Sequence, residues 1–171
     1  MIDGRGVVPD LEIKKETLSR LTTLLLMRDM VFHFATQYAD KVDSIPRPED
    51  FSLAADRYQD FIAFVLENKE FTYETATELK LKALKESAIE EGYLDLIQTS
   101  YDLIQKSVSA DLERELVSIQ QEISRWIESE IISRYYFQSG MSRHGFRFDL
   151  DMIKALEILN NDQEYNNILK F

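Results

Sequence analysis

Apolar residues recur at intervals of three and four along most of the chain, the spacing that gathers side chains on one face of an α-helix. Leu112, Leu116, Ile119 and Ile123 open the longest stretch of this pattern. It predicts helices over these segments: about 16–41, 52–67, 72–92, 93–106, 111–138 and 149–159, with a turn or two more at 162–171. The sequence therefore predicts a mainly α fold, a multi-helix bundle of five or six helices.

Prolines and glycines mark the ends of these segments. Pro46 and Pro48 follow the first helix and prevent it from continuing, because proline has no backbone N–H to donate. Gly92 suits the left-handed residue that often ends a helix. Gly140 and Gly145 are predicted to close the long helix. Such a low content of glycine and proline, five and three residues, favours long helices over a many-turned sheet.

The first 13 residues differ from the rest of the chain. Gly4, Gly6 and Pro9 predict a turn, and the alternation over residues 7–13 predicts a short extended segment after it. A lone strand cannot pair its own amide and carbonyl groups, and the remaining sequence offers no partner strand. We therefore expect an extended N-terminal arm that needs a partner outside this chain.

Length and composition indicate one folded domain. A chain of 20.0 kDa is expected to expose about 8,700 Å² when folded. The formal net charge is −11, opposite in sign to a phosphate-binding surface, so no nucleic-acid partner is expected. The longest apolar run, at 24–27, is far shorter than a membrane span, and we expect no secretion signal in this chain. There are no cysteines.

The two histidines are the first candidates for chemistry. His33 has Asp29 four residues before it, on one helical face, but zinc and di-iron sites need more ligands. His144 follows Ser142 by two residues. A serine nucleophile depends on a positioned base and an orienting group, not on nearness in sequence. We interpret His33 as an ordinary helix residue and His144 as part of a loop at a helix end, and we expect no metal or cofactor.

Neighbouring carboxylates are a second candidate, for acid-base catalysis. They occur at Glu90 with Glu91 and at Glu128 with Glu130. Without a pocket to desolvate them, such carboxylates form solvated helix faces. We therefore interpret both pairs as surface residues and expect no catalytic residue in this chain.

The end of the long helix offers a candidate interface. Glu130 and Arg134 are four residues apart and therefore lie side by side on a helix. The aromatic run after them spreads rings around the helix, so one face could meet a second subunit or domain; simple core packing is the alternative. The residues predicted for the interface are Trp126, Glu130, Arg134, Tyr135, Tyr136 and Phe137.

The segment 3–13, read as Asp-Gly-Arg-Gly-Val-Val-Pro-Asp-Leu-Glu-Ile, resembles the run that closes the catalytic domain of carboxyl-terminal processing (tail-specific) serine peptidases. Gly6, Val7, Pro9 and Asp10 match that pattern as structural positions. The segment 130–140 is similar to the long helical tail of cell-envelope members of the family. The resemblance thus explains the unpaired arm.

This resemblance implies that the chain belongs to a longer protein with separate catalytic and helical domains. Residues 1–13 would end the catalytic domain, and residues 14–171 would form a helical C-terminal accessory domain. The parent enzyme would cleave proteins near their C-termini with a Ser nucleophile, a Lys general base and a peptide-binding PDZ domain, all preceding residue 1. The implied partners are those upstream domains, the protein substrates and a second copy of the chain, in the periplasm or cell envelope.

Two other functions remain open from the sequence. A free-standing helical protein-protein interaction module would use the face from Trp126 to Phe137 as a groove-binding or dimer surface. A small enzyme would need a deep pocket around His33 or a carboxylate. The non-catalytic accessory domain of a serine endopeptidase, which packs on the protease core or a second subunit and shapes substrate access, is the function we expect.

Overall fold

The computed structural model describes residues 9–14, 17–108 and 111–169 of the chain. Within those ranges it contains nine α-helices and no β-strand, which confirms the prediction of a mainly α fold. The helices are α1 (Arg20–Met27), α2 (Met30–Ala39), α3 (Ala55–Glu67), α4 (Ala76–Glu90), α5 (Leu94–Val108), α6 (Leu112–Ser118), α7 (Gln120–Gly145), α8 (Leu150–Leu159) and α9 (Asp162–Leu169).

Two predicted helices are each divided in two, and the C-terminal segment forms a separate helix, α9, which is why the structure contains more helices than expected. The segment 16–41 breaks at Asp29, whose φ of 54° is left-handed, a conformation that Asp tolerates better than most residues. The segment 111–138 breaks at Ile119, where φ is −96° and ψ is 10°. Apolar spacing continues through both breaks because the helices on either side bury the same face. The pattern alone therefore does not reveal the breaks.

The core is formed by α1, α2, α3, α6 and α7. Ile123, Ile127 and Ile131 of α7 are four residues apart and completely buried. Val31 and Ala35 of α2 are buried in the same cluster. Burying each large apolar side chain contributes roughly 1.5–3 kcal/mol, so this shared face is what holds the five helices together.

Tyr58 fixes α3 to α6 inside this core. Its side chain is 1% exposed, and its phenol donates a hydrogen bond to the carbonyl of Leu116 at 2.5 Å. Leu116 lies in the last turn of α6, where helix carbonyls have no partner within the helix. Burial raises the pKa of the Tyr58 phenol well above its usual value, so the group keeps its proton further into the alkaline range than an exposed tyrosine does.

The connector 40–54 between α2 and α3 packs along α7. Ile45, Pro48 and Phe51 of this connector are buried. Buried backbone groups in such an irregular segment need hydrogen-bond partners that a helix or strand would otherwise supply. Side chains of α7 and of the turn that follows it provide several of them, as described below.

Two helical hairpins, α4–α5 and α8–α9, lie outside the main core. Thr75 begins α4 through a capping box with Glu78, and the turn to α5 contains Gly92, whose φ of 75° requires the freedom of glycine. Tyr101 is the buried residue of α5. In the described parts of α8 and α9 no residue is buried. Both hairpins therefore leave apolar side chains in solvent.

The accessible surface is 12,820 Å², and the prediction of about 8,700 Å² is therefore wrong. That expectation assumed that the whole chain packs around one compact core. The two hairpins instead pack chiefly within themselves, so they contribute surface without covering the core.

The N-terminal arm is described only from Pro9 onward, and residues 9–14 form neither helix nor strand. Pro9 and Asp10 are exposed, and the chain bends at Asp10. Gly6 and Val7, the other two matched positions of the arm, lie outside the described residues. The predicted extended segment over 7–13 is thus described in part.

The long helix α7 does not close at Gly140, as the sequence predicted, but continues to Gly145 through a kink. The kink is at Phe137, whose φ of 55° and ψ of −157° are not helical. Gly140 is buried beyond it. A Cβ at Gly140 would collide with the Cβ of Tyr136 and lie 3.0 Å from the Cγ2 of Ile132. Close packing, not helix termination, is the role of this glycine.

Gly140→Ala is expected to lower the free energy of unfolding by about 1–3 kcal/mol, because the added methyl group overpacks the bend. Gly145→Ala is the matched control, since its Cβ would have no atom within 4 Å and Ala favours the helix by up to about 1 kcal/mol. Urea unfolding of the two variants measures the difference. Equal stabilities would contradict the close packing at Gly140.

Candidate functional site

Arg134, one of the predicted interface residues, joins α7 to α2. Its Nη1 lies 3.0 Å from Oε2 of Glu130, so the expected side-by-side pair is present. Its Nη2 donates to the carbonyl of Phe32 at 2.8 Å and to Oγ1 of Thr36 at 2.7 Å. The guanidinium also lies 4.7 Å from the centroid of the Phe32 ring. One side chain thus combines an ion pair, two interhelical hydrogen bonds and a cation-π contact.

Tyr135 and Tyr136 connect α7 to the connector 40–54. The phenol of Tyr135 donates to the carbonyl of Val42, and that of Tyr136 donates to the carbonyl of Ile45 at 3.1 Å. Burial raises the pKa of the Tyr135 phenol, with a smaller contribution from nearby acidic groups. These two phenols satisfy carbonyls that no regular secondary structure pairs.

Trp126 and Phe137, the other predicted interface aromatics, are exposed to solvent. Trp126 is 41% exposed and Phe137 is 75% exposed. The six predicted residues therefore separate into two groups. Four make contacts within the chain, as core packing would have them, and two present rings to solvent. An interface through Trp126 and Phe137 stays a prediction.

A buried polar pair, Glu128 with His144, lies in α7 on both sides of its kink. Nε2 of His144 is 3.0 Å from Oε2 of Glu128, and the two side chains are 2% and 7% exposed. Oε1 of Glu128 accepts the backbone N–H of Leu53 at 2.7 Å, and the Ser52 hydroxyl lies 3.4 Å away. The pair ties the end of α7 to its first half and to the connector.

The sequence interpretation of both residues was wrong. Glu128 is not on a solvated face, and His144 is not in a loop but inside the last turn of α7. One signal could have found Glu128. At 100° per residue it lies between Ile131 and Ile132 on the helical wheel, and both isoleucines are buried. The partner could not be found in this way, because the kink at Phe137 breaks the helical register between positions 128 and 144.

No arrangement for nucleophilic catalysis is formed by the residues that the sequence brought together. Ser142 donates to the carbonyl of Gln138 in its own helix at 3.1 Å, not to His144. His33 is exposed on α2, with its ring against the edge of Phe32. Among the described residues no group of three or more potential ligands is placed to hold a metal ion.

Two clefts of the described structure are open and lack a catalytic cluster. A cleft of 460 Å³ between α2 and α3 is lined by residues that include Phe34, Tyr38, Phe64 and Arg57. Arg57 is engaged by Asp60 at 3.0 Å. A smaller cleft of 260 Å³ lies beside Glu128. There the guanidinium groups of Arg125 and Arg147 lie 5.0 and 5.3 Å from the centroid of the Phe148 ring. Neither brings a nucleophile to a base.

The largest unexplained feature is the set of exposed apolar side chains on the two hairpins. On α5, Leu96 and Leu103 are 80% and 65% exposed. On α8, Met152, Leu156 and Leu159 are 42%, 55% and 61% exposed. Contiguous apolar patches on a soluble protein mark sites of contact with other molecules. No described helix combines the length and the apolar character that crossing a membrane requires.

Comparison with known proteins finds one family model that matches most of the chain. The family model described as "Probable PDZ-protease, C-terminal helical domain" matches residues 21–159, which include helices α2 to α8 and all but the first residue of α1. No curated protein and no solved structure matches the chain.

Arg134→Lys is expected to lower the free energy of unfolding by about 1.5–3 kcal/mol, because an ammonium keeps the charge but loses the two-pronged contact with α2. The matched control is Arg57→Lys, an exposed arginine whose ion pairs are solvated, and it is expected to leave the stability unchanged. Chemical denaturation checks both. A loss no larger for Arg134→Lys than for the control would contradict the bridging role.

Glu128→Ala is expected to be more destabilising than Glu128→Gln. Alanine leaves the Leu53 N–H and His144 buried without partners, at about 1–3 kcal/mol each, whereas glutamine retains an acceptor and a donor. Glu86→Ala on the exposed face of α4 controls for loss of charge. Thermal unfolding of the three variants tests the order, and an Ala variant as stable as the Gln variant would show that the pair carries no net stability.

Proposed function

Because the chain belongs to the family of C-terminal helical domains of probable PDZ-proteases, we propose that it is the non-catalytic helical domain of such an enzyme. It packs on the protease core or on a second subunit and shapes the access of protein substrates. In this proposal hydrolysis is performed by upstream residues, a Ser nucleophile with a Lys general base. The enzyme acts in the periplasm or cell envelope, as the sequence resemblance implies.

The observation that carries the proposal is the apolar surface of the two hairpins. Helix α5 is amphipathic, yet its outer apolar positions Leu96 and Leu103 face solvent. Helix α8 has no buried residue at all. A domain that completes its own core in α1, α2, α3, α6 and α7 does not need these faces. Such exposed apolar faces are expected in a domain that is covered by another part of a larger protein.

The internal chemistry supports a non-catalytic role. The buried polar groups of α7 are used for connection: Glu128 with His144, and Arg134 with α2. Glu128 also lines the 260 Å³ cleft, but its two oxygens are engaged by His144 and by the N–H of Leu53. The domain therefore supplies rigid surfaces, and the upstream part of the enzyme supplies the reacting groups.

The second candidate is a helical module that binds a separate protein. It is favoured by the exposure of Trp126 and Phe137, since aromatic residues are the anchors of many interfaces. In that case the hairpin faces and the aromatic face would bind in trans, and no upstream protease would be needed.

Removing residues 14–171 from the full-length protein tests the proposal. We expect the truncated enzyme to cleave a short unfolded peptide with kcat/KM near that of the full protein, and to cleave a folded, C-terminally tagged protein about tenfold or more slowly. Peptide cleavage serves as the control for folding of the catalytic part. Residues 14–171 alone are expected to cleave neither substrate.

Two results would contradict the proposal. One is hydrolysis by residues 14–171 alone, which would make this domain catalytic. The other is unchanged cleavage of both substrates by the truncated enzyme, which would leave the domain without a role in proteolysis and favour the separate binding module.

A further inference from the structure

The face of α8 lies beside the segment through which the chain enters this domain. Residues 11–14 and α8 together line a shallow, mainly apolar cleft of 380 Å³. The cleft is formed from Leu11 and Ile13 on one side and from Leu150 and Ile153 on the other. Whatever precedes the arm is therefore attached next to α8.

The side of α8 that faces away from this cleft carries a stripe of apolar residues that the described structure leaves about half exposed. The α8 stripe consists of Met152, Leu156 and Leu159, spaced four and three residues apart, so the three side chains lie on one helical face. Their exposure increases along the helix, from 42% to 61%. The stripe falls within the matched family region, which ends at residue 159.

We propose that the α8 stripe is the docking surface for the protease region that precedes residue 1 of the same chain. This inference rests on the function proposed above and names the surface that performs it. The partner is an apolar patch with a basic rim, belonging to the upstream catalytic part of the enzyme.

Attachment favours an occupant from the same chain. Pro9 is preceded by eight residues, which can reach at most about 29 Å when fully extended. A region joined through so short a tether has an effective concentration in the millimolar range at a surface within its reach. An unattached protein would need a high affinity to displace it from α8.

Charge disfavours a second copy of this domain as the occupant. The hairpin that carries the stripe is rich in carboxylates: Asp149, Asp151, Glu157, Asp162 and Glu164. Lys154 is already engaged by Glu157 at 3.4 Å and by Glu164 at 3.2 Å. Two such faces in contact would place like charges together, which costs affinity and excludes wrong partners. Basic residues around an apolar patch are the complementary arrangement.

The test places a photo-crosslinking residue, p-benzoylphenylalanine, in the full-length protease. One variant carries it at Leu156 on the α8 stripe. The matched control carries it at Leu96 on α5, which is more exposed than Leu156 and belongs to the other hairpin. Irradiation followed by mass spectrometry of the monomer identifies the captured peptides, and circular dichroism checks that both variants are folded.

We expect the residue at position 156 to capture peptides from the region upstream of residue 1, at least about tenfold more often than the residue at position 96. Capture of upstream peptides from position 96 but not 156 would overturn the inference and leave the proposed function intact, with α5 as the docking surface. Capture between two copies from position 156 would also overturn it, in favour of an oligomer contact.

A second variant separates a failure of the docking inference from a failure of the proposed function. Leu156→Asp in the full-length protein is expected to accelerate cleavage of the arm by an added protease about tenfold, because a charge on the stripe releases the docked region and exposes the arm that leads to it. Leu96→Asp is expected to leave the rate unchanged. If neither change has an effect and no upstream peptide is captured, the docking inference fails. The truncation experiment then decides separately whether the proposed function survives.

Discussion

The structure depends on the need to pair the backbone of the connector 40–54. This irregular segment is buried against α7, where water cannot satisfy its amides and carbonyls. Side chains from α7 do so instead: two phenols on carbonyls and one carboxylate on an amide. Arg147, just after α7, pairs the carbonyl of Phe51. Helix α7 thus serves both as the apolar centre of the core and as the polar support of the connector, which explains why aromatic, acidic and basic residues alternate with isoleucines along it.

The helices could be predicted from the sequence because each buries one face, and burial at threes and fours is visible without a structure. The family match likewise confirms the resemblance to the C-terminal region of a processing peptidase. The break at Asp29 and the kink at Phe137 were not predictable, since both residues adopt positive φ values within stretches whose apolar spacing is that of a continuous helix. The same holds for the pairing of Glu128 with His144, which depends on the kink between them. Arg134 and Glu130 could be paired because they are neighbours on one helix, but the contacts of Arg134 with α2 involve residues 98 and 102 positions away.

Apolar residues in this chain serve two purposes that the sequence pattern does not separate. Ile127 and Leu156 occupy similar positions on amphipathic helices, yet the first is completely buried and the second is 55% exposed. The difference arises because α7 packs against α2 and shares the core with α1, α3 and α6, whereas the main helical neighbour of α8 is α9. An apolar stripe along a helix indicates that this face is buried against another structure. The stripe does not indicate whether that structure belongs to the same domain.

The bend at Phe137 determines how the two parts of α7 are oriented relative to each other. A phenylalanine at φ 55° and ψ −157° occupies a region that costs of order 1–3 kcal/mol for a residue with a side chain, so the bend persists only while both flanks are held. Tyr135 and Tyr136 anchor the near flank to the connector, and the contacts of Arg143 with Glu49 and of His144 with Glu128 anchor the far flank. The far flank leads directly into α8. The orientation of the terminal hairpin therefore depends on the backbone of one residue and on the contacts that hold its two flanks, so the loss of one contact near the bend would move the tip of the hairpin much further than the bend itself.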